Sequence, residues 1–198
     1  MSCKPECLGC EYLRRSALEI IAAVGVEGLS TEALARQAGL ASWEVLRHYA
    51  TATDCLYATY DEVADNILRD LVDAFAEIDD WQSAFELSVR RLVERLAADP
   101  GEARLCFGAT VGSHRELRRR RDHTRGWVVQ FLARERALRE GEAEAEHERE
   151  RHALQIELLI GAGFHVIASA VADREPADLA ELESKLAVVA GSFIPARV

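Results

Sequence analysis

Prolines are scarce in this chain, four in 198 residues, and β-branched runs are few, which disfavours a sheet and favours helices. No apolar run approaches the roughly 20 residues of a bilayer span, so no membrane contact is expected. The opening stretch MSCKPECLGC lacks the apolar region of a signal peptide, so a cytoplasmic protein is expected. An excess of basic residues is also missing: 24 Lys and Arg face 34 Asp and Glu, for a formal net charge of −10. Paired carboxylates in a recognisable frame, a nucleophile elbow, a phosphate loop and an HExxH motif are all absent, so the chain does not read as an enzyme. What is present suits a globular protein of one large or two small domains, 49% hydrophobic and 29% charged.

The most informative stretch is Leu29 to Tyr49, LSTEALARQAGLASWEVLRHY. Ser30 is placed to cap a helix whose apolar face is Leu34, Ala35 and Ala38. Gly39 can take the positive φ that ends it, and Leu40 fills the corner. Val45 and Tyr49, four apart, turn the next helix back onto the first, leaving Ser42, Trp43, Arg47 and part of His48 outward. This is a helix-turn-helix whose second helix is a candidate reader of DNA. Its charge is unfavourable for that task. Over residues 1–60, Lys4, Arg14, Arg15, Arg36 and Arg47 face seven acids, leaving −2, where phosphate neutralisation usually supplies much of the affinity.

Upstream, Cys3, Cys7 and Cys10 follow C-x3-C-x2-C, three of the five cysteines within ten residues. In a cytoplasm this is no disulfide framework; three thiolates could hold a metal ion or an iron–sulfur cluster. The spacing also marks the cluster site of radical S-adenosylmethionine enzymes, but their α/β barrel needs alternating strands that are not seen here. No cofactor is required by the rest of the sequence. Glu11 to Val24 then forms an amphipathic helix on Leu13, Ala17, Ile20, Ile21 and Val24. Thr51-x-x-Asp54 resembles a capping box opening a long helix with Leu56, Val63, Ile67, Leu71, Phe75 and Ile78 on one side.

An amphipathic helix, then ST-x-x-LA-x-x-AGL, a short helix ending RHY and a long connector together resemble the TetR family of bacterial transcription regulators. The likeness is close over residues 11–60. It implies an all-α chain with a Cys-containing tail (1–10), a three-helix DNA-binding domain (11–55) and a helical ligand-binding and dimerisation domain (56–198). It further implies a homodimeric repressor of a palindromic double-stranded operator, controlled by a small-molecule ligand. The implied DNA-contacting set is Ser30, Thr31, Ser42, Trp43, Glu44, Arg47, His48 and Tyr49. Arg47, His48 and Tyr49 keep the family's pattern. Leu46 stands where a Tyr is usual, Trp43 where a Gly is common, Glu44 where a small hydroxyl residue is common, and Ala52 where a basic residue often grips phosphate. Glu44 could accept from cytosine N4, and Arg47 could reach guanine or phosphate.

Residues 81–113 read as two helices divided at Asp99-Pro100-Gly101. The aromatic-rich set Trp81, Phe85, Cys106, Phe107, His114, Trp127 and Phe131 falls where the family's ligand cavity would be, although any single aromatic reads more readily as core. Four arginines, Arg118 to Arg121, point all round a helix and read as a solvated surface. Glu140 to Arg151 reads as an exposed connection. His152 to Val171 is apolar on nearly every side. Leu179, Leu182, Leu186, Val189 and Phe193 then form a seam. With Leu158 and Ala162, the residues Leu179, Leu182, Leu186 and Val189 are the expected interface of a four-helix bundle across a two-fold axis. Two other readings stand beside the ligand-controlled regulator: a metal or redox sensor through Cys3, Cys7 and Cys10 on the same scaffold, and a helical ligand-binding protein that has lost DNA binding.

Overall fold

The computed structural model describes residues 7–108, 114–140, 146–172 and 179–193, and these hold helices and no strand. In order they are α1 (Leu8–Val24), a 3-10 turn (Val26–Gly28), α2 (Thr31–Ala38), α3 (Ser42–His48), α4 (Ala52–Glu77), α5 (Trp81–Ala98), α6 (Pro100–Phe107), α7 (Arg115–Glu140), α8 (Glu146–Ala172) and α9 (Leu179–Phe193). The all-α expectation holds, and the barrel of a radical enzyme has no counterpart among the described residues. Two helices start earlier than expected. Cys7 is the N-cap of α1 and its carbonyl accepts from Glu11 N at 3.0 Å, so Cys10 is helical and buried rather than part of a tail. Residues 146–151, read as a connection, are the first turns of α8.

The described residues of Met1–Asp65 and Asp99–Arg118 form one compact unit, and those of Asn66–Ala98 and Arg119–Val198 form a second. The boundary expected after residue 55 therefore moves into α4, and α6 belongs with the N-terminal head. The sequence at Asp99-Pro100-Gly101 explains how α6 joins it. Asp99 caps the helix by accepting from Gly101 N at 2.9 Å and Glu102 N at 3.2 Å, and Pro100 takes the first position, where an N–H would have no intrahelical partner. Gly101 lies against the backbone of α1: a Cβ there would fall 2.3 Å from the Leu18 carbonyl oxygen. The Arg104 guanidinium donates to the Ala22 carbonyl, one of the acceptors the end of α1 leaves without a helical partner. Leu13, Ala17, Leu34, Val45 and Cys55 fill the head's core. Burial pushes the Cys55 thiol up to about 11, so it is protonated and packs as a small apolar group.

In the second unit Leu71, Phe75, Trp81, Phe85, Leu132 and Ile156 make a continuous core. Trp81 stacks on Phe85 with centroids 5.4 Å apart, and its indole N–H donates to the Leu132 carbonyl at 3.2 Å. The Arg139 guanidinium donates to the carbonyls of Phe75 and Ile78, satisfying the end of α4, and also covers the Phe75 ring. Helix α9 packs on α8 and α5. One described helix stretch, Glu150–Ala172, is long and apolar enough to cross a membrane by length and composition. This corrects the expectation that none approaches that length. Interruption by Glu157 and His165 hid the stretch, because no uninterrupted apolar run is present.

Gly39 and Gly101 differ in what a methyl group would meet. Gly39 has φ +64° and open space around it, whereas Gly101 is blocked by backbone. Gly39→Ala should lower stability by about 1 kcal/mol through backbone strain alone. Gly101→Ala should lower it by about 2–3 kcal/mol, because α1 and α6 must separate. Chemical denaturation of the two variants checks the order; equal losses would mean that α6 does not pack as described.

Candidate nucleic-acid interface

The helix-turn-helix is built as its residues dictate. The Ser30 hydroxyl accepts from Ala33 N at 3.1 Å to open α2. At the other end Gly39 adopts the left-handed conformation, Gly39 N bonds Arg36 O at 3.3 Å and Leu40 N bonds Ala35 O at 2.9 Å. Those two bonds are the Schellman pair, with Leu40 supplying the apolar plug. Helix α3 opens at Ala41, which has no side-chain acceptor; the Glu44 carboxylate accepts from Ala41 N at 2.8 Å, half of a capping box. Thr51 and Asp54 complete both halves of theirs, at 3.1 and 2.9 Å, and start α4.

Val45 is fully buried and fixes the rotation of α3. Ser42, Trp43, Leu46 and Arg47 consequently face outward, with Trp43 60% and Leu46 50% exposed. The Arg47 guanidinium lies 6.0 Å from the centre of the Trp43 ring, so charge and aromatic surface are presented together. Of the expected DNA-contacting set, Ser42, Trp43 and Arg47 share this exposed face, and Leu46 joins them. Ser30 and Glu44 serve as caps, and Thr31 is half-buried at the start of α2.

Tyr49 and His48 are turned toward the head. The Tyr49 hydroxyl accepts from Arg14 Nη1 at 3.1 Å, and Arg14 Nε donates to the Glu62 carboxylate. This node ties α1, the end of α3 and α4 together. Burial raises the Tyr49 phenol above its ordinary range and outweighs the adjacent guanidinium, which acts the other way. Arg14 and Glu62 were not singled out in the sequence, since neither belongs to a local motif and they lie 48 residues apart. His48 Nδ1 lies 3.5 Å from the sulfurs of both Cys7 and Cys10. Of the three cysteines expected to act together, the structure joins Cys7 and Cys10 through His48; Cys3 lies outside the described residues.

The expected ligand set divides between the two units: Cys106, Phe107 and His114 in the first, Trp81, Phe85, Trp127 and Phe131 in the second. Trp81 and Phe85 are buried core, while Trp127, stacked on Phe131 at 5.2 Å, is exposed. Part of the expected dimer seam is already covered within the single chain. Leu182 and Leu186 are already buried within the single chain, 5% and 7% exposed, and Leu186 packs toward Gly163. Val189 also packs against the second unit's core. A three–four repeat specifies an apolar stripe but not its partner, and here α8 and α5 supply that partner. Leu158 is exposed, Ala162 is half-buried, and the side chain of Leu179 lies outside the described residues.

Three solved structures of transcription regulators or related binding proteins resemble the chain. The fatty acid degradation regulator FadR from Bacillus halodurans is 18% identical with a TM-score of 0.79, over 98% of this chain and 100% of that one. A transcriptional regulator from Rhodococcus sp. Rha1 is 18% identical with a TM-score of 0.66, over 92% and 96%. The multidrug binding protein EbrR, complexed with malachite green, is 16% identical with a TM-score of 0.61, over 91% and 96%. No family model and no curated protein matches the sequence. The architecture is nonetheless clear: the chain shares the all-α fold of these solved structures.

Proposed function

We propose that the protein is a homodimeric, DNA-binding transcription regulator, a repressor whose affinity for a palindromic operator is controlled by a small molecule, working in the cytoplasm and not as an enzyme. The observation that carries this reading is the outward face of α3. Ser42, Trp43, Leu46 and Arg47 project from a helix whose caps and buried face are fully accounted for, so these four side chains have no structural task inside the head. Set into a major groove, Arg47 would reach a guanine edge or phosphate, and Trp43 and Leu46 would offer apolar contact to thymine methyl groups.

Dimerisation is supported by α8. Leu154 is 55% exposed and Leu158 49%, and most of its apolar stretch is not buried within the chain. Such a face in water calls for a cover, and a second copy of α8 related by a two-fold axis would supply one and pair two reading heads. The ligand would be an apolar, aromatic-compatible molecule. The exposed Trp127 stacked on Phe131 supports that choice, as does a similarly folded protein that holds malachite green. A ligand preferring one separation of the heads would shift the population away from the DNA-competent state.

Selection of bound fragments from the source genome should recover a palindromic sequence. Recovery of none would favour a helical binding protein that no longer reads DNA. With that sequence in hand, Arg47→Ala should weaken binding by about 1–3 kcal/mol, and an unchanged isotherm would remove Arg47 from the reading face. Salt dependence should be shallow. Arg14 and Arg15 pair with carboxylates of the head, leaving Arg36 and Arg47 as the exposed arginines of residues 7–65 outside those pairs. With only these arginines on phosphate, a dimer should show a slope of log K against log salt no steeper than about −4; a steeper slope would require further cations, such as the exposed Arg115 and Arg118 of the same unit. Leu158→Glu should convert the dimer to a monomer with unchanged helicity, because it buries a charge in the pairing face. An intact dimer in sedimentation would move the interface off α8.

A further inference from the structure

The thiols at the start of α1 and the imidazole at the end of α3 converge on one point. The ligand atoms of Cys7, Cys10 and His48 all lie within 4.8 Å of one another. Both sulfurs are 3.5 Å from the same ring nitrogen, Nδ1. An imidazole nitrogen has one in-plane lone pair, or one N–H if protonated, so hydrogen bonding cannot serve both sulfurs at full strength. A tetrahedral cation resolves this. With metal–sulfur and metal–nitrogen bonds of about 2.3 and 2.0–2.1 Å, two ligands at the tetrahedral angle stand about 3.5 Å apart.

Gly9 supplies the second observation. A Cβ at that position would lie 2.5 Å from His48 Cε1 and 2.7 Å from Nε2, so the ring occupies space that only glycine leaves open between the two cysteines. Cys10 is buried, and Cys7 and His48 are half-buried, which leaves room for a fourth ligand from outside the cluster. The first turn of α1 also favours the anionic thiolates that a cation would bind.

We propose that Cys7, Cys10 and His48 form a site for a thiophilic divalent cation, zinc, that clamps the C-terminal end of the recognition helix to the start of α1. Two thiolates and a neutral imidazole are borderline-soft donors that suit zinc better than magnesium or calcium. Binding releases the thiol protons to solvent and changes no oxidation state. His48 directly follows Arg47, so occupancy would fix the end of α3 that carries the exposed arginine. That consequence rests on the DNA-reading role proposed above; the metal site itself does not.

The test uses the full chain, reduced and stripped with a chelator, then titrated with cobalt as an optical stand-in and with zinc against a chromogenic chelator. One equivalent per chain should bind, with a thiolate-to-cobalt charge-transfer band in the near ultraviolet. The band should vanish in the Cys7→Ser/Cys10→Ser variant and persist in Cys55→Ala. His48→Gln should weaken zinc binding at least tenfold. Gly9→Val, which keeps all three donors and displaces only the ring, should weaken it by about 10–100-fold while far-ultraviolet circular dichroism stays unchanged. Saturating zinc should raise the Tm of the wild-type chain and not that of the double-serine variant. Absence of the charge-transfer band in the stripped wild type, or its survival in the double-serine variant, overturns the site. On the genomic fragment selected above, zinc-loaded and stripped protein should differ in DNA affinity at least fivefold. A chain that shows the cobalt band but selects no DNA keeps the site and removes the DNA-reading role.

Discussion

A guanidinium that leaves water needs partners, and Arg14 is placed where its partners come from two other helices. Its side chain is only 13% exposed. It sits on α1, yet its donors go to the Glu62 carboxylate on α4 and to the Tyr49 hydroxyl just past α3. Removing either acceptor would leave a partly buried charge short of a partner, an outcome costly enough to make the three positions interdependent. The end of α3 is therefore located by α1 and α4 as well as by its own packing. At seven residues α3 is far too short to persist by itself in water. What it presents outward is inherited from what holds it inward: Val45 in the core, Tyr49 on Arg14, and Glu44 folded back on Ala41.

Much of the head was legible in the sequence because its determinants are local. Ser30, Gly39, Thr51 with Asp54, and Asp99 with Pro100 act on residues one to four positions away, and their chemistry names the bond they make. Other features were not legible because their meaning depends on a distant segment. Gly101 reads as an ordinary residue after a helix-initiating proline until the Leu18 carbonyl is found beside it, 83 positions back in the sequence. His48 satisfies a familial pattern that implies contact with DNA, yet nothing near it in sequence points its ring toward Gly9. The stripe on α9 shows the same limit. Heptad-like spacing establishes that Leu182 and Leu186 must be covered, and both cover by another copy and cover by α8 satisfy the pattern equally well.

The arginines of the head show how composition alone misjudges a binding surface. Counting charges gives a mildly acidic head. The structure subdivides that count: Arg14 serves the node, Arg15 lies near Glu19 and Asp99, and Arg36 and Arg47 remain exposed. On the proposed DNA-reading role, a helix-turn-helix whose own segment exposes so few cations would depend less on counterion release than is usual. Trp43 and Leu46, both large, apolar and exposed, suit that balance, since apolar contact with base edges does not weaken with salt as phosphate contacts do.

The same economy bears on control. In a head held mainly by phosphate contacts, a small tilt of α3 shifts several long flexible side chains that can readjust. In a head that reads DNA as proposed, through an aromatic ring and one stacked guanidinium, the contacts would be short-ranged, so fixing or releasing the end of α3 would change the fit directly. The residues that could do this are one position from Arg47 on the helix and adjacent to the Arg14 node in space. On the proposed role, an input at the start of α1 would need no long pathway to reach the outward face of α3, because α1 and α3 already share the elements that set the orientation of α3.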